Sequence, residues 1–270
     1  LARLPMSMSG LGIVLLVQGR EGSYGLAGAV SAAYMIANAV LSIAQGRLLD
    51  RLGQGRVLSV ASVVFGVAMS LLVLSVQADW PLAITYVAAA LGGASLPQIG
   101  SCVRARWSHV LDSPADVQTA YALESVADEA VFILGPILVT TLATAVHPVL
   151  GLAVAVVAGT VGGLAFAAQR GTEPPAHARV SSDGVRPALP WRTVGPLAVV
   201  FAALGILFGA AEVTTVAFAD EQGHRAWSGG LLALWALGSL TAGAVTGTMA
   251  WRRGPTVRVQ IGAAGMALAM

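Results

Sequence analysis

Residues 24–56 read YGLAGAVSAAYMIANAVLSIAQGRLLDRLGQGR. No charge interrupts Tyr24 to Gln45, a run matching the roughly 20 apolar residues that a helix needs to cross a bilayer. Arg47, Asp50, Arg51 and Arg56 then follow in quick succession, between and after Gly46 and Gly53. The stretch predicts a membrane-spanning helix that ends in a charged, glycine-bounded loop. Barrel strands would alternate apolar and polar residues over about ten positions. This run does not, and a helix satisfies its own backbone in lipid.

The same arrangement recurs on both sides. Leu4–Val17 is a short first span, Tyr24–Gln45 the second, Val57–Ala78 the third and Trp80–Val103 the fourth. Val117–Val146 holds the fifth, Val149–Gln169 the sixth, Val194–Ala219 the seventh and Ala226–Ala250 the eighth; a ninth starts after Arg258. The composition agrees: 56% of the 270 residues are hydrophobic, 32 are glycine and 10% are charged, against roughly 25% charged in soluble domains. Mean hydropathy is +0.78. An all-α polytopic membrane protein is the class that remains. The single Cys102 excludes an internal disulfide. All 15 basic residues are arginine, but they are scattered between apolar runs, which argues against a nucleic-acid surface.

Arginine placement gives the orientation. One set of loops holds Arg47, Arg51, Arg56, Arg104, Arg106, Arg170, Arg179, Arg186, Arg192, Arg252, Arg253 and Arg258, and the opposite set only Arg20 and Arg225. The first set is expected to be cytoplasmic, in a plasma membrane. The stretch 170–193 contains Pro174, Pro175, Pro187 and Pro190 and reads as a cytoplasmic linker. It divides the chain into a first bundle, 1–169, and a partial second bundle, 194–270. A shift of 201 residues places Gly28 on Gly229, Tyr34 on Trp235, Asn38 on Ser239, Gly46 on Gly247, Arg51 on Arg252 and Gly53 on Gly254. Such internal repetition is common in transporters. The chain starts with Leu1 and stops inside an apolar run at Met270, so truncation at both ends is expected.

The loop Gly46-Arg-Leu-Leu-Asp50-Arg51-Leu-Gly53-Gln-Gly-Arg56 resembles the G-x-L-x-D-R-x-G-R-[RK] signature of the major facilitator superfamily. Gly46, Leu48, Asp50, Arg51, Gly53 and Arg56 match; Gln54-Gly55 loosens the end. The resemblance implies a twelve-helix bundle, of which this chain holds about eight spans and part of a ninth. It also implies secondary transport of a small solute by alternating access, with this loop latching the outward-facing state. Gly46 is expected to let helices approach closely, Gly53 to permit a tight turn, and Asp50 with the arginines to pair or to cap helix ends. In the second copy, Trp251 replaces the aspartate. Gly135-Pro136 in the fifth span is similar to a drug/proton antiporter motif, although Val139 and Thr140 stand where paired glycines would follow. The proline is expected to kink the helix. The fourth span lacks the internal arginine of many proton-coupled members.

Ionisable residues inside spans cost about 2.5–3.5 kcal/mol on insertion scales and mark function by default. Glu124, Asp128 and Glu129 lie in the fifth span and Glu212 in the seventh. Glu124 and Asp128, four apart, share a face, with Asp128 about 16 Å deep and Glu212 about 10 Å from its outer end. Two roles stay open for them, proton carriage or binding of a cationic substrate, beside a purely structural salt bridge. Arg3 falls roughly 9 Å inside the cytoplasmic face if its helix continues upstream; the resemblance implies that the first and fifth helices are neighbours, which would bring it within reach of Glu124 or Asp128, or it snorkels. Pro5 would locally break the first helix. Tyr34, Asn38, Gln98 and Trp235 are candidates for lining a cavity, with helix packing as the alternative. No histidine belongs to a metal cluster, no cofactor is expected, and the motifs of intramembrane proteases are absent. The expected partners are lipid, a small-molecule substrate and protons, with a monomer as the full-length state and efflux favoured over uptake. The competing function is a non-transporting sensor or scaffold.

Overall fold

The computed structural model describes residues 1–176, 191–248, 257 and 260–265. Among these residues the regular structure is entirely helical. The α-helices are α1 (Leu4–Glu21), α2 (Tyr24–Leu52), α3 (Gln54–Gln77), α4 (Leu82–Ser95), α5 (Ile99–Val110), α6 (Pro114–Thr141), α7 (Leu150–Ala168), α8 (Trp191–Glu221) and α9 (Ser228–Thr248). A π-helical turn, Leu142–Val146, prolongs α6.

The helix ends follow from local chemistry. Ser23 caps α2 by accepting the Leu26 N–H at 3.2 Å. Gly53, at φ 86°, is the single residue between α2 and α3, a left-handed position where a side chain would be strained. Pro5 lies in the first turn of α1, where proline is tolerated because its missing N–H has no helical partner. It therefore opens α1 rather than breaking it. Pro136 lies inside α6, six residues before the π-helical turn at Leu142.

The fourth span is not one helix. Pro97 interrupts it, and residues 96–98 separate α4 from α5. The Gln98 N–H freed by the break is taken by the Gln45 side chain of α2 at 3.0 Å. This accords with the rule that irregular backbone at membrane depth must be satisfied within the protein.

α1 is the central element. It packs on α2, α6 and α7, and its residues from Ser7 to Val17 are buried on every side. A helix apolar all round belongs in a core. α3 packs between α4 and α7, α2 along α4, and α9 along α6. Small residues permit these approaches: a methyl on Gly93 would collide with the Tyr34 carbonyl, and one on Gly229 with the Pro136 carbonyl. The outward faces carry exposed Ile36, Val40, Ile43, Val60, Val157, Val161, Phe201 and Ile206, as lipid-facing surfaces do.

Six segments among the described residues are long and apolar enough to span a membrane, with α4–α5 counted as one and α6 plus its π-helical turn as another. The expected count of eight spans and part of a ninth is not confirmed among the described residues. The apolar run of α1 stops at Gln18, and the polar turn Gln18–Glu21 follows. The expected eighth and ninth spans extend into residues 249–256 and beyond 265, outside the described residues, as do Trp251, Arg252 and Gly254 of the repeated loop. Most of the linker, 177–190, is also outside them. Where the linker was expected to run to 193, α8 already starts at Trp191.

Candidate functional site

Glu124 and Asp128 project from one face of α6, one turn apart. Arg3, at the N-cap of α1, reaches both: its Nη1 donates to Asp128 Oδ1 at 2.8 Å and its Nη2 to Glu124 Oε2. α5 supplies the other partners. Arg104 Nη2 lies 3.2 Å from Asp128 Oδ2, and the Trp107 indole N–H donates to Glu124 Oε1 at 3.2 Å. Arg104 and Trp107 are three residues apart, which aligns them on one helix face. Two carboxylates therefore meet two guanidiniums and an indole. Charges taken out of water are tolerated when paired and hydrogen-bonded. One turn further along α1, the Ser7 hydroxyl donates to the Val131 carbonyl at 2.9 Å and locks the two helices in this register. Glu129 is off this face; it is half-buried and has no hydrogen bond or ion pair among the described residues.

Glu212 is differently placed. It is half-buried on α8 and has no ion pair or hydrogen bond among the described residues. Its carboxylate faces α1: a methyl built on Gly10 would lie 3.4 Å from Glu212 Oε2 and 3.6 Å from Ser31 Oγ. The Ser31 hydroxyl donates to the Gly10 carbonyl at 3.3 Å. Gly10 is seven residues from Arg3, so Glu212 stands about two turns, ~10 Å, along α1 from the paired cluster.

The polar candidates separate into two groups. Gln98 Nε2 donates to Asn38 Oδ1 at 3.1 Å, and together with Gln45 these side chains line the break between α4 and α5. Tyr34 is only 4% exposed and belongs to the packed interior, not to an open cavity. Trp235 leans on Phe208, ring centroids 4.9 Å apart, and is partly exposed.

The loop after α2 differs from expectation in detail. Gly46 faces open space, with nothing within 4 Å of an added methyl, so it brings no described helix closer. Asp50, Arg51 and Arg56 are exposed and form no ion pair among the described residues. The fastening seen at this end is made by Arg106 of α5. Buried to 5% exposure, it donates to Gln54 Oε1 at 2.8 Å, the Gln169 carbonyl at 2.7 Å and the Phe166 carbonyl at 3.3 Å. Its guanidinium lies 3.9 Å above the Phe166 ring. Glu173 accepts the Gly55 N–H at 2.9 Å. Residues 169–173 are thereby fastened to the turn between α2 and α3.

At the opposite end, Asp220 of α8 accepts from Tyr24 Oη at 2.7 Å and from Gln18 Nε2 at 3.4 Å. Arg225 Nη2 donates to the Leu15 carbonyl at 3.1 Å. These bonds join α8 and the turn after it to α1 and the start of α2. Arg20 pairs with Asp79 across the loops beside them. The hydrogen bond from Arg20 holds the Asp79 carboxyl below its ordinary pKa.

Arg3, Glu124 and Asp128 are thus assembled into one cluster, while Glu212 and Glu129 stand apart from it. Arg104, Trp107 and Arg106 complete the sites unannounced by the sequence. The signal that could have found the first two is their i, i+3 spacing just past Pro97. No group of three or more His, Cys, Asp or Glu side chains suited to a metal occurs among the described residues.

The family model described as Major Facilitator Superfamily matches residues 1–270. The chain belongs to the major facilitator superfamily. It is therefore a multi-pass membrane protein of a transporter family, a membership that implies a lipid bilayer and a small-molecule substrate. No curated protein and no solved structure matches it.

Proposed function

We propose that this superfamily member moves a small solute by alternating access, coupled to protons, with export favoured over uptake. The observation that carries the reading is the pair of acid sites that α6 and α8 present to α1: Glu124 and Asp128 held by Arg3, Arg104 and Trp107, and Glu212, without an ion pair or hydrogen bond among the described residues, about two turns away. In this reading Glu212 takes and releases the proton, because a lone carboxylate at membrane depth is stabilised by protonation. The cluster binds the polar part of the solute, which exchanges for Arg3 or Arg104 on the carboxylates. The contacts of Asp220 and Arg225 close the outer end, and their release opens it. Gly135-Pro136 in α6 supports the export direction. The reading includes a first bundle over 1–169, a cytoplasmic linker over 170–193, a second bundle from 194 and residence in the plasma membrane as a monomer. No chemical transformation of the solute is assigned.

The test is solute-induced proton movement in vesicles that contain the protein, across a panel of small cations and neutral solutes. Asp128→Asn removes solute-dependent flux, and Glu212→Gln removes its response to a pH gradient while exchange persists. Undiminished gradient-driven flux in both variants would overturn the assignment.

A further inference from the structure

Beside the Arg225 contact lies a cavity of about 450 Å³, a size suited to a small ligand. Its walls come from both parts of the chain. Leu15 and Gly19 of α1, Ala143 and Thr144 of the π-helical turn, and Pro148 form one side; residues 223–227, between α8 and α9, form the other. No carboxylate lines it, while His224 and Arg225 do.

Arg225 is short of acceptors. Nη2 donates to the Leu15 carbonyl, but Nε is buried with no hydrogen-bond partner. Arg225 also forms no ion pair among the described residues. The nearby acid, Asp220, is engaged by Tyr24 and Gln18. A buried guanidinium donor without an acceptor is unfavourable, and a carboxylate matches its planar fork. Beside Thr144 and His224, the wall carries apolar surface from Leu15, Ala143, Pro148 and the exposed Trp227. A hydrated inorganic anion would gain nothing from it. A π-helical turn, frequent at functional sites, forms part of the rim.

We infer that this cavity binds a small organic carboxylate, with its charge on Arg225 and its apolar body against Leu15 and Trp227. The site is separate from the α6 cluster and needs no transport step. Since the ligand touches α1 on one side and residues 223–227 on the other, its binding also holds this end of the bundle shut.

The test is calorimetric titration of the chain in lipid nanodiscs with benzoate, and with benzamide as the neutral isostere. Benzoate binds at least about tenfold more tightly than benzamide, the contribution of a charge-assisted hydrogen bond. Arg225→Gln removes that preference. Arg225 also anchors the Leu15 carbonyl, so a second variant, Ala226→Phe, fills the cavity while keeping the guanidinium; it abolishes the benzoate signal. Equal binding of benzoate and benzamide, preference retained in Arg225→Gln, binding unchanged in Ala226→Phe, or no saturable binding by the unaltered chain would each overturn the inference. Because the readout is binding alone, it can fail while transport stands, and the reverse.

Discussion

Glu124 and Asp128 meet two guanidiniums and an indole, whereas Glu212, about two turns along the same central helix, lies near Gly10 with no ion pair or hydrogen bond among the described residues. Both sites place carboxylates at membrane depth, yet their electrostatics are opposite. In the first, each negative charge is compensated, so ionisation is compatible with burial and proton uptake would break existing bonds. In the second, no ion pair or hydrogen bond meets the carboxylate among the described residues. The difference teaches that an acid inside a span is not one kind of object. Its neighbours decide whether it holds helices together or, in the proposed reading, exchanges protons.

The sharpest way to break this contrast is to remove Arg3. Arg3→Gln leaves two partly buried carboxylates with fewer partners, a change expected to cost about 3–5 kcal/mol, read as a lower thermal midpoint in detergent. Adding Asp128→Asn to that variant restores part of the loss. An unchanged midpoint would mean that the cluster contributes nothing to the packing of α1 on α6. Glu212→Gln, by comparison, removes no bond and is expected to stay within about 0.5 kcal/mol of the parent, while the pH-gradient response of flux disappears. If it unfolds the protein instead, the lone carboxylate has a structural partner and the contrast collapses.

Smaller effects test the outer contacts. Asp220→Asn weakens two hydrogen bonds worth about 1 kcal/mol each. Amide hydrogen exchange over residues 220–227 should then rise about fivefold for each kcal/mol lost. The smallest effect belongs to Arg20 and Asp79. The folded pKa of Asp79 is depressed by Arg20, so its stabilising contribution is complete above the ordinary carboxylate pKa and is lost as pH falls through the lowered value. Both side chains are exposed and screened by salt. Asp79→Asn should therefore alter only the acid limb of a stability profile at low ionic strength, and a marked change at neutral pH would show a larger role.

The sequence made some of this legible because membrane insertion writes itself into long apolar runs, and buried charge into rare exceptions to them. The depth of Arg3 follows from helix rise, and its reach toward Glu124 and Asp128 from the neighbouring first and fifth helices that the resemblance implies. The position of Gly53 follows from its place between two runs, and its φ of 86° is what such a turn requires. Other features depend on how helices rotate about one another. Arg104 and Trp107 reach the cluster only because Pro97 ends α4 and α5 begins anew, whereas a continuous fourth span predicts nothing for them. Gly46 has the residue type of a close contact but faces empty space. Arg106 looks like any other positive loop residue until Gln54, the Gln169 and Phe166 carbonyls and the Phe166 ring surround it. Whether Glu212 finds a partner is a tertiary fact that no spacing encodes.

The burial of α1 has a consequence for biogenesis. Its partners on α6 and α7 are synthesised about a hundred residues after it. At the moment it leaves the ribosome, it carries an arginine and two buried serines, Ser7 and Ser9, with neither Glu124 nor Asp128 yet made. Lipid alone is a poor host for such a segment. α1 must therefore wait beside the insertion machinery, or at the membrane surface, until α6 arrives. Substitutions in α6 can then disturb the topology of a helix made long before it.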